Sequence, residues 1–483
     1  MAPREPAGAR PGRRRVLDWV PATLLGGALA VLAVGLFGGC AAVLDNVPLN
    51  RPAADGSAPL VAPHPPQPAD RQMIGMSLSG GGLRAAAFSL GVMRELAAAP
   101  QDVYADVHFI SSVSGGSLTA AYLALQGRPG LDSAREELLL RDYELHLRLS
   151  PWSPANLLRL LAGGMNDRSN LGRVLDRDVF RGADFDTLWG RGGPEVWINA
   201  TDLYNRTPFP FVPEVFAALC SDLGSLRVSE AVAASMAVPL AFAPVVLRSW
   251  GERCDDDLPA WSRLEPTDGS ASADLLASTA RAVKNYRNPG RMRYVKLADG
   301  GLTDNQGLSS LLVARAVADK PYAPLSEADA VTLRRMLFLV VDAGRPPNGD
   351  WAMTPEGPSA VDIGLAAADA AVDSATRLSL QVFRREMARW REQLVAYRCA
   401  LPPERVRALR GEASPWDCAD LVVEVDVLGF EGLPPELAAR MREMPTRLTL
   451  SAADVDTAIA AGAWAARRSA GLAGYRAQRE ADR

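Results

Sequence analysis

The chain has 483 residues, 48% of them apolar, and a formal net charge of −4. That length and composition permit a large core and exclude a globally disordered chain. The charge is too weak and too scattered for a nucleic-acid stripe or an acidic tail, so no nucleic-acid partner is expected and any protein partner is left unspecified.

The amino terminus comes first in chain order. Arg13, Arg14 and Arg15 precede an uncharged run from Trp19 to Phe37. The run is long enough to enter a bilayer, with its positive flank held in the cytoplasm. It ends in "LFGGC", which resembles a bacterial lipoprotein signal with Cys40 as the lipidated residue, although Phe37 stands where leucine is usual. An uncleaved signal anchor is the alternative. Either reading makes 1–39 a signal peptide or membrane anchor and puts the body outside the cytoplasm, in the cell envelope. Ala41 lacks the aspartate associated with inner-membrane retention, which leaves the choice of membrane open. Residues 40–71 are proline-rich and read as a semi-extended tether.

The body alternates short apolar runs with helical patterns. Met73–Ser79, Val107–Val113, Val196–Thr201, Tyr294–Ala298 and Leu337–Ala343 read as strands. Leu83–Leu96 and Leu118–Leu125 read as helices between them. Strands too uniformly apolar for burial on one side imply a mostly parallel sheet covered on both faces, an α/β/α sandwich. Leu138–Trp189 is expected to be helical and loop-rich, and Trp250–Pro289 a polar surface insertion. After Pro358 a long helical pattern reaches about Tyr397, followed by a strand-like Leu421–Phe430 and two more helices. The expected division is therefore a catalytic domain over 72–345 and a mainly helical extension over 346–483, packed on the core.

Besides Cys40 there are four cysteines: Cys220, Cys254, Cys399 and Cys418. An even number in an exported chain permits two bridges. Nearest-neighbour pairing, Cys220 with Cys254 and Cys399 with Cys418, is the preferred of three connectivities, against four unpaired buried thiols. With no CxxC or Cys/His cluster, neither a metal nor another cofactor is expected.

Three motifs carry chemistry. "SVSGGS" places Ser114 at the end of an apolar strand and the start of a helix, the setting in which a serine hydroxyl is pushed out on a tight turn. The helix that follows adds partial positive charge beside it. "SGGGLR" follows the first strand, and the amides of Gly80, Gly81 and Gly82 can converge on one oxygen as an oxyanion hole. A dinucleotide fingerprint is the rival, since Gly80, Gly82 and Ala85 have its spacing, but no acidic residue follows the second strand at the expected distance. "ADGG" puts Asp299 at a strand end, as a turn residue or as a base. The three histidines, His64, His108 and His146, lie in the tether, inside a strand and on a charged helix, so a Ser–Asp–His triad is disfavoured.

Together "SGGGLR", "SVSGGS" and "ADGG", from about Met73 to Ala343, resemble the patatin-like phospholipase family. "AVAASMAVPLAFAPV" (Ala231–Val245) resembles the segment that precedes the family's aspartate strand. The resemblance implies an α/β/α sandwich that hydrolyses acyl lipids at a membrane surface through a Ser–Asp dyad. It makes Ser114 the nucleophile, Asp299 the base, Gly80–Gly82 the oxyanion hole and Arg84 a support for that loop. Ser112 and Ala85 replace two of the family's glycines. Leu138–Gly164, with Trp152, Leu157, Leu158, Leu160 and Leu161, is a candidate acyl-groove wall or lid, or else ordinary core helix. Acyl transfer by the same residues and a non-catalytic envelope scaffold of the same fold remain alternatives.

Overall fold

A computed structural model describes residues 47–54 and 72–481, short of 148–152, 154–155, 157–158, 161–162, 255–257, 264–270, 319, 345–349, 354, 356 and 411–415. The expected signal or anchor (1–39), Cys40, most of the tether and Trp152, Leu157, Leu158 and Leu161 lie outside the described residues. Among the described residues no helix is long and apolar enough to cross a membrane.

The centre is an eight-stranded mixed sheet. Its strands are β1 (Gln72–Leu78), β2 (Val107–Val113), β3 (Glu195–Asp202), β4 (Thr207–Pro210), β5 (Val245–Arg248), β6 (Tyr294–Asp299), β7 (Arg335–Val341) and β8 (Val422–Leu428). Their order is β8-β7-β1-β2-β3-β6-β5, with β4 also on β3. The run from β8 to β3 is parallel; β6, β5 and β4 join antiparallel. The sheet is thus parallel over five strands and antiparallel at one side.

Burial on both faces follows from the side-chain period of a strand. On β7, Leu337, Leu339 and Val341 enter one core while Met336, Phe338 and Val340 enter the other. The first core is closed by α1 (Gly82–Leu96), α2 (Gly115–Gln126) and α3 (Val228–Ser235). A later helix, α4 (Ala271–Tyr286), also sends Ala282, Val283 and Tyr286 into it. The second core is closed by α5 (Ser309–Ala316) and the 41-residue α6 (Ala360–Ala400), through Leu312, Phe383, Met387, Trp390 and Leu394. Helices α7 (Pro435–Glu443), α8 (Ala452–Arg468) and α9 (Ala470–Ala481) return to the first face.

Three expectations change. Trp250–Pro289 is more than a polar surface insertion: its second half is α4, whose apolar positions recur at helical spacing and are buried. The stretch beyond 346 does more than pack against a finished domain, because β8 extends the sheet in register with β7 from Val422–Arg335 to Leu428–Val341. Nor is the whole of 40–71 a free tether. Arg51–Pro52 pairs with Ser221–Asp222, and the Asn50 side chain bonds the Ser221 hydroxyl and both backbone groups of Arg248 at 2.7–2.8 Å.

Two disulfides close short loops. Cys220 is bonded to Cys254 and Cys399 to Cys418, with Cα atoms 5.6 and 5.0 Å apart.

Candidate active site

Ser114 is the single residue between β2 and α2. Its φ of 50° and ψ of −120° are unusual for a residue with a side chain, and the turn is over-determined by its neighbours. The Ser114 N–H donates to the Ser235 hydroxyl at 2.7 Å, and that hydroxyl donates to the Asn199 carbonyl at 2.6 Å. The Ser114 carbonyl receives the N–H groups of Ser117 and Leu118 and so starts α2. Gly115 has to be glycine because a Cβ there would fall inside the Gly82 peptide. Ser112, in place of the family's glycine, is accommodated within β2: its hydroxyl donates to the Trp197 carbonyl of β3 at 2.9 Å.

Asp299 ends β6. Its N–H donates to the Ala237 carbonyl at 2.8 Å, and the next amide, Gly300, to the Ser235 carbonyl at 3.1 Å. The segment 235–237 therefore holds both the serine turn and the aspartate. The Ser114 hydroxyl donates to Asp299 Oδ2 at 2.9 Å, while the Gly301 N–H donates to Oδ1 at 2.8 Å. Both side chains are nearly buried, Ser114 at 6% and Asp299 at 7% exposure. Burial raises the Asp299 carboxyl from 3.8 to about 6, and the bonds from Gly301 and Ser114 only partly oppose it.

The glycine loop faces this pair. A Cβ on Gly80 would lie 3.3 Å from the Ser114 Cβ. Gly81 and Gly82 have φ values of 141° and 60°, which the turn into α1 requires and which side chains resist. One expectation is corrected here: the Gly80 N–H is already engaged, donating to the Asn305 carbonyl at 3.0 Å, so it is not an available oxyanion donor. The amides of Gly81, Gly82 and Gly115 carry no hydrogen bond among the described residues, and the loops bearing them meet at Ser114. Arg84 is bonded to backbone carbonyls, not to Ser114 or Asp299. It is fully buried; its Nε and Nη2 donate to the Ala343 carbonyl at 3.3 and 3.1 Å, and its Nη1 donates to the Met444 carbonyl at 2.7 Å.

The histidines stay apart from this chemistry. His108 is near the far end of β2, about 20 Å from Ser114 at ordinary strand rise, with Nδ1 against the Asp106 carbonyl at 2.6 Å. His146 is exposed, and His64 lies outside the described residues. Among the described residues no group of three or more His, Cys, Asp or Glu side chains is placed to hold a metal. Of the candidate lid, Leu138 is a core residue with no exposure, and Leu160 is half-buried.

Several positioning residues carry no signal in the sequence. Ser235 lies within the segment singled out as family-like, but its partner is 121 residues away. Asn199 donates to the Ser111 hydroxyl at 2.9 Å and the Ser112 carbonyl at 3.0 Å, and accepts from Ser310 at 2.7 Å. The Asn305 side chain is wedged between Gly80 and Gly301, where added Cβ atoms would be 2.5 and 2.9 Å from its Oδ1. No spacing rule points to these three.

Residues 76–312 match the family model of the patatin-like phospholipases, and the chain carries a domain of that family. The match ends inside α5, before β7, β8 and the later helices. Human GIVD cytosolic phospholipase A2 is among the similar solved structures, at 13% identity, with 55% of this chain and 45% of that chain covered and a TM-score of 0.28. The same protein in complex with methyl gamma-linolenyl fluorophosphonate gives 13% identity, 86% and 60% coverage and a TM-score of 0.36. In both, the chain spans less than two thirds of the other chain's length. No curated protein matches.

Proposed function

We propose that the protein is a lipid acyl hydrolase that cleaves fatty acyl esters with Ser114 as nucleophile and Asp299 as its base. The observation that carries this reading is the 2.9 Å bond from the Ser114 hydroxyl to the buried Asp299 carboxylate. Asp299 takes the hydroxyl proton as Oγ attacks the ester carbonyl. The oxyanion is received by the Gly81, Gly82 and Gly115 amides, each such donor contributing about 10²–10³ in rate. Collapse breaks the ester C–O bond, and the leaving alcohol takes the proton from Asp299. A water then gives its proton to Asp299 and attacks the acyl-serine; the fatty acid leaves, and the proton returns to Ser114.

A carboxylate with the ordinary aspartate value would be too weak a base, and burial supplies the correction. An apolar substrate is supported by the turn just after Ala237. Val238 and Leu240 are 46% and 61% exposed, and Leu240 sits at a φ of 72°, an unusual conformation for a leucine. The Leu240 and Ala241 carbonyls receive the N–H groups of Met165 and Asn166, at the end of the apolar 153–164 stretch. Export to an oxidising compartment belongs to the same proposal and is supported by the two cystines; attachment to a membrane rests on the amino-terminal sequence alone.

Mass spectrometry of the products formed from phospholipid vesicles tests the reading. Wild type is expected to release free fatty acid, and Ser114→Ala to fall by at least about 10⁴-fold. Full activity in Ser114→Ala would reject it, and acyl groups appearing on an added alcohol or lysolipid would replace hydrolysis by transfer.

A further inference from the structure

The outer side of the glycine loop is met by a segment from far along the chain. Residues 444–449 cross from α7 to α8. The Arg447 carbonyl accepts the Leu83 N–H at 2.9 Å, in the peptide that directly follows Gly82. A Cβ on Gly82 would lie 2.6 Å from that same oxygen, so loop and crossing segment are in backbone contact. One residue on, Arg84 donates to the Met444 carbonyl at 2.7 Å. Behind them α8 lies directly on α1: a Cβ at Gly91 would fall inside the Ile459 carbonyl, and one at Gly462 inside the Phe88 carbonyl.

The crossing segment is itself tied down from the other side. Glu144 belongs to a short turn of 3-10 helix, Glu144–His146, at the root of the 138–164 stretch. Its carboxylate accepts from Arg447 Nη2 at 2.5 Å, Arg447 Nε at 3.3 Å and the Leu448 N–H at 2.9 Å. Next to it, the Thr449 hydroxyl donates to Asp142 at 2.7 Å. The Glu144 side chain is 13% exposed and that of Arg447 58%, so the carboxylate is sheltered while the guanidinium faces solvent.

We propose that residues 444–449 are a strap that aims the oxyanion amides, with Arg447 and Glu144 as positioning residues for acyl transfer to Ser114. The inference rests on the Ser114–Asp299 reading and adds what holds the opposite side of the reacting carbon. The reason is geometric. Hydrogen-bond donors stabilise an oxyanion only when they are already aimed at it, and small misplacements at a reacting centre are costly in rate. The Gly82–Leu83 peptide is fixed by the Arg447 carbonyl, and Arg447 is fixed by Glu144. Loosening Glu144 or Arg447 therefore tilts the amides without touching the dyad.

The test uses the full chain and a short, water-soluble p-nitrophenyl ester. Arg447→Ala and Glu144→Ala are expected to lower kcat about 10-fold, a fraction of the loss from deleting one donor, with KM within about twofold. The rate of Ser114 labelling by a fluorophosphonate should fall in parallel. Arg447→Lys should keep most activity, and the charge exchange Glu144→Arg with Arg447→Glu should recover much of it. Should the alanine variants fold poorly, Glu144→Gln, which retains an acceptor for Leu448, decides by the same labelling rate. An active wild type with unchanged kcat and labelling in these variants overturns the strap alone. A wild type no faster than Ser114→Ala overturns the dyad reading and the strap with it.

Discussion

Ser114 and Asp299 are held from within the matched domain, by Ser235, Ala237, Asn199 and Gly301, whereas the glycine loop opposite leans on a carbonyl 360 positions along the chain from Arg84. The first side is a buried polar network, in which each bond fixes a neighbour and few waters compete. The second is a stack of backbones, Gly82 on Gly115 and on Arg447, with α8 on α1 behind it. Ser114 and Asp299, the proposed nucleophile and base, are positioned by short, directional bonds inside one fold. The glycine loop, the proposed oxyanion hole, is positioned by packing that is complete only when the chain has returned to its starting face. The segment beyond 346 is for this reason part of the site's scaffold.

The contrast can be broken on its dyad side first, where the largest effect is expected. Asp299→Asn keeps one oxygen to accept from the Gly301 N–H but presents an amide donor to Ser114 in place of the base, and should lower kcat/KM by about 10⁴-fold. The same change should stabilise the fold at alkaline pH. A folded-state value of about 6 against 3.8 means the native protein binds this proton more tightly than the unfolded chain does. Stability from this group is fully present below about 3.8 and is lost as pH rises to about 6. Above that the buried charge costs about 3 kcal/mol, because a tenfold change in proton affinity is worth about 1.36 kcal/mol. Thermal melts should show Asp299→Asn gaining several degrees in Tm near pH 8 and nothing near pH 3.5. In wild type, kcat/KM should rise through about pH 6 and level off; a rise centred near pH 4 would remove the desolvated base from the mechanism.

On the glycine side the expected loss is smaller. Gly82→Ala forces a side chain into a φ of 60° and against the Arg447 carbonyl. Turnover should fall about 10²-fold, in the range of one lost donor, with fluorophosphonate labelling slowed by a similar factor. Labelling at the wild-type rate would separate Gly82 from the reaction.

Smallest is the effect expected at the exposed turn that follows Ala237. Leu240→Asp should leave hydrolysis of a soluble short-chain ester within about twofold of wild type. Activity on phospholipid vesicles should fall about 10-fold, because on the proposed reading a charge then replaces the exposed apolar area that would meet lipid. Equal losses on both substrates would place Leu240 in the scaffold, alongside the dyad network it borders.

Much of the first side was legible in the sequence. Apolar runs that stop at glycines mark β1, β2 and β6, and the glycines, Ser114 and Asp299 sit where strand becomes turn. Such features depend on nearest neighbours along the chain: burial on both faces selects uniform apolar strands, and tight turns select glycine. The antiparallel attachment of β6, β5 and β4 was not legible, because strand direction is set by the connections and not by the residues within a strand. Likewise the Gly80 amide looks equivalent to its two neighbours in the string "GGG", and only the Asn305 carbonyl beside it removes it from use.

The sequence by itself determined which residues could react and the local turns that expose them, since those properties belong to side-chain chemistry and to a few successive dihedral angles. Tertiary structure alone decided that Ser114 meets Asp299 across 185 positions, that burial raises the Asp299 carboxyl, and that Arg447 backs the glycine loop. Those are properties of distance and dielectric. They come into being when separate strands are brought to one edge and water is excluded from between them.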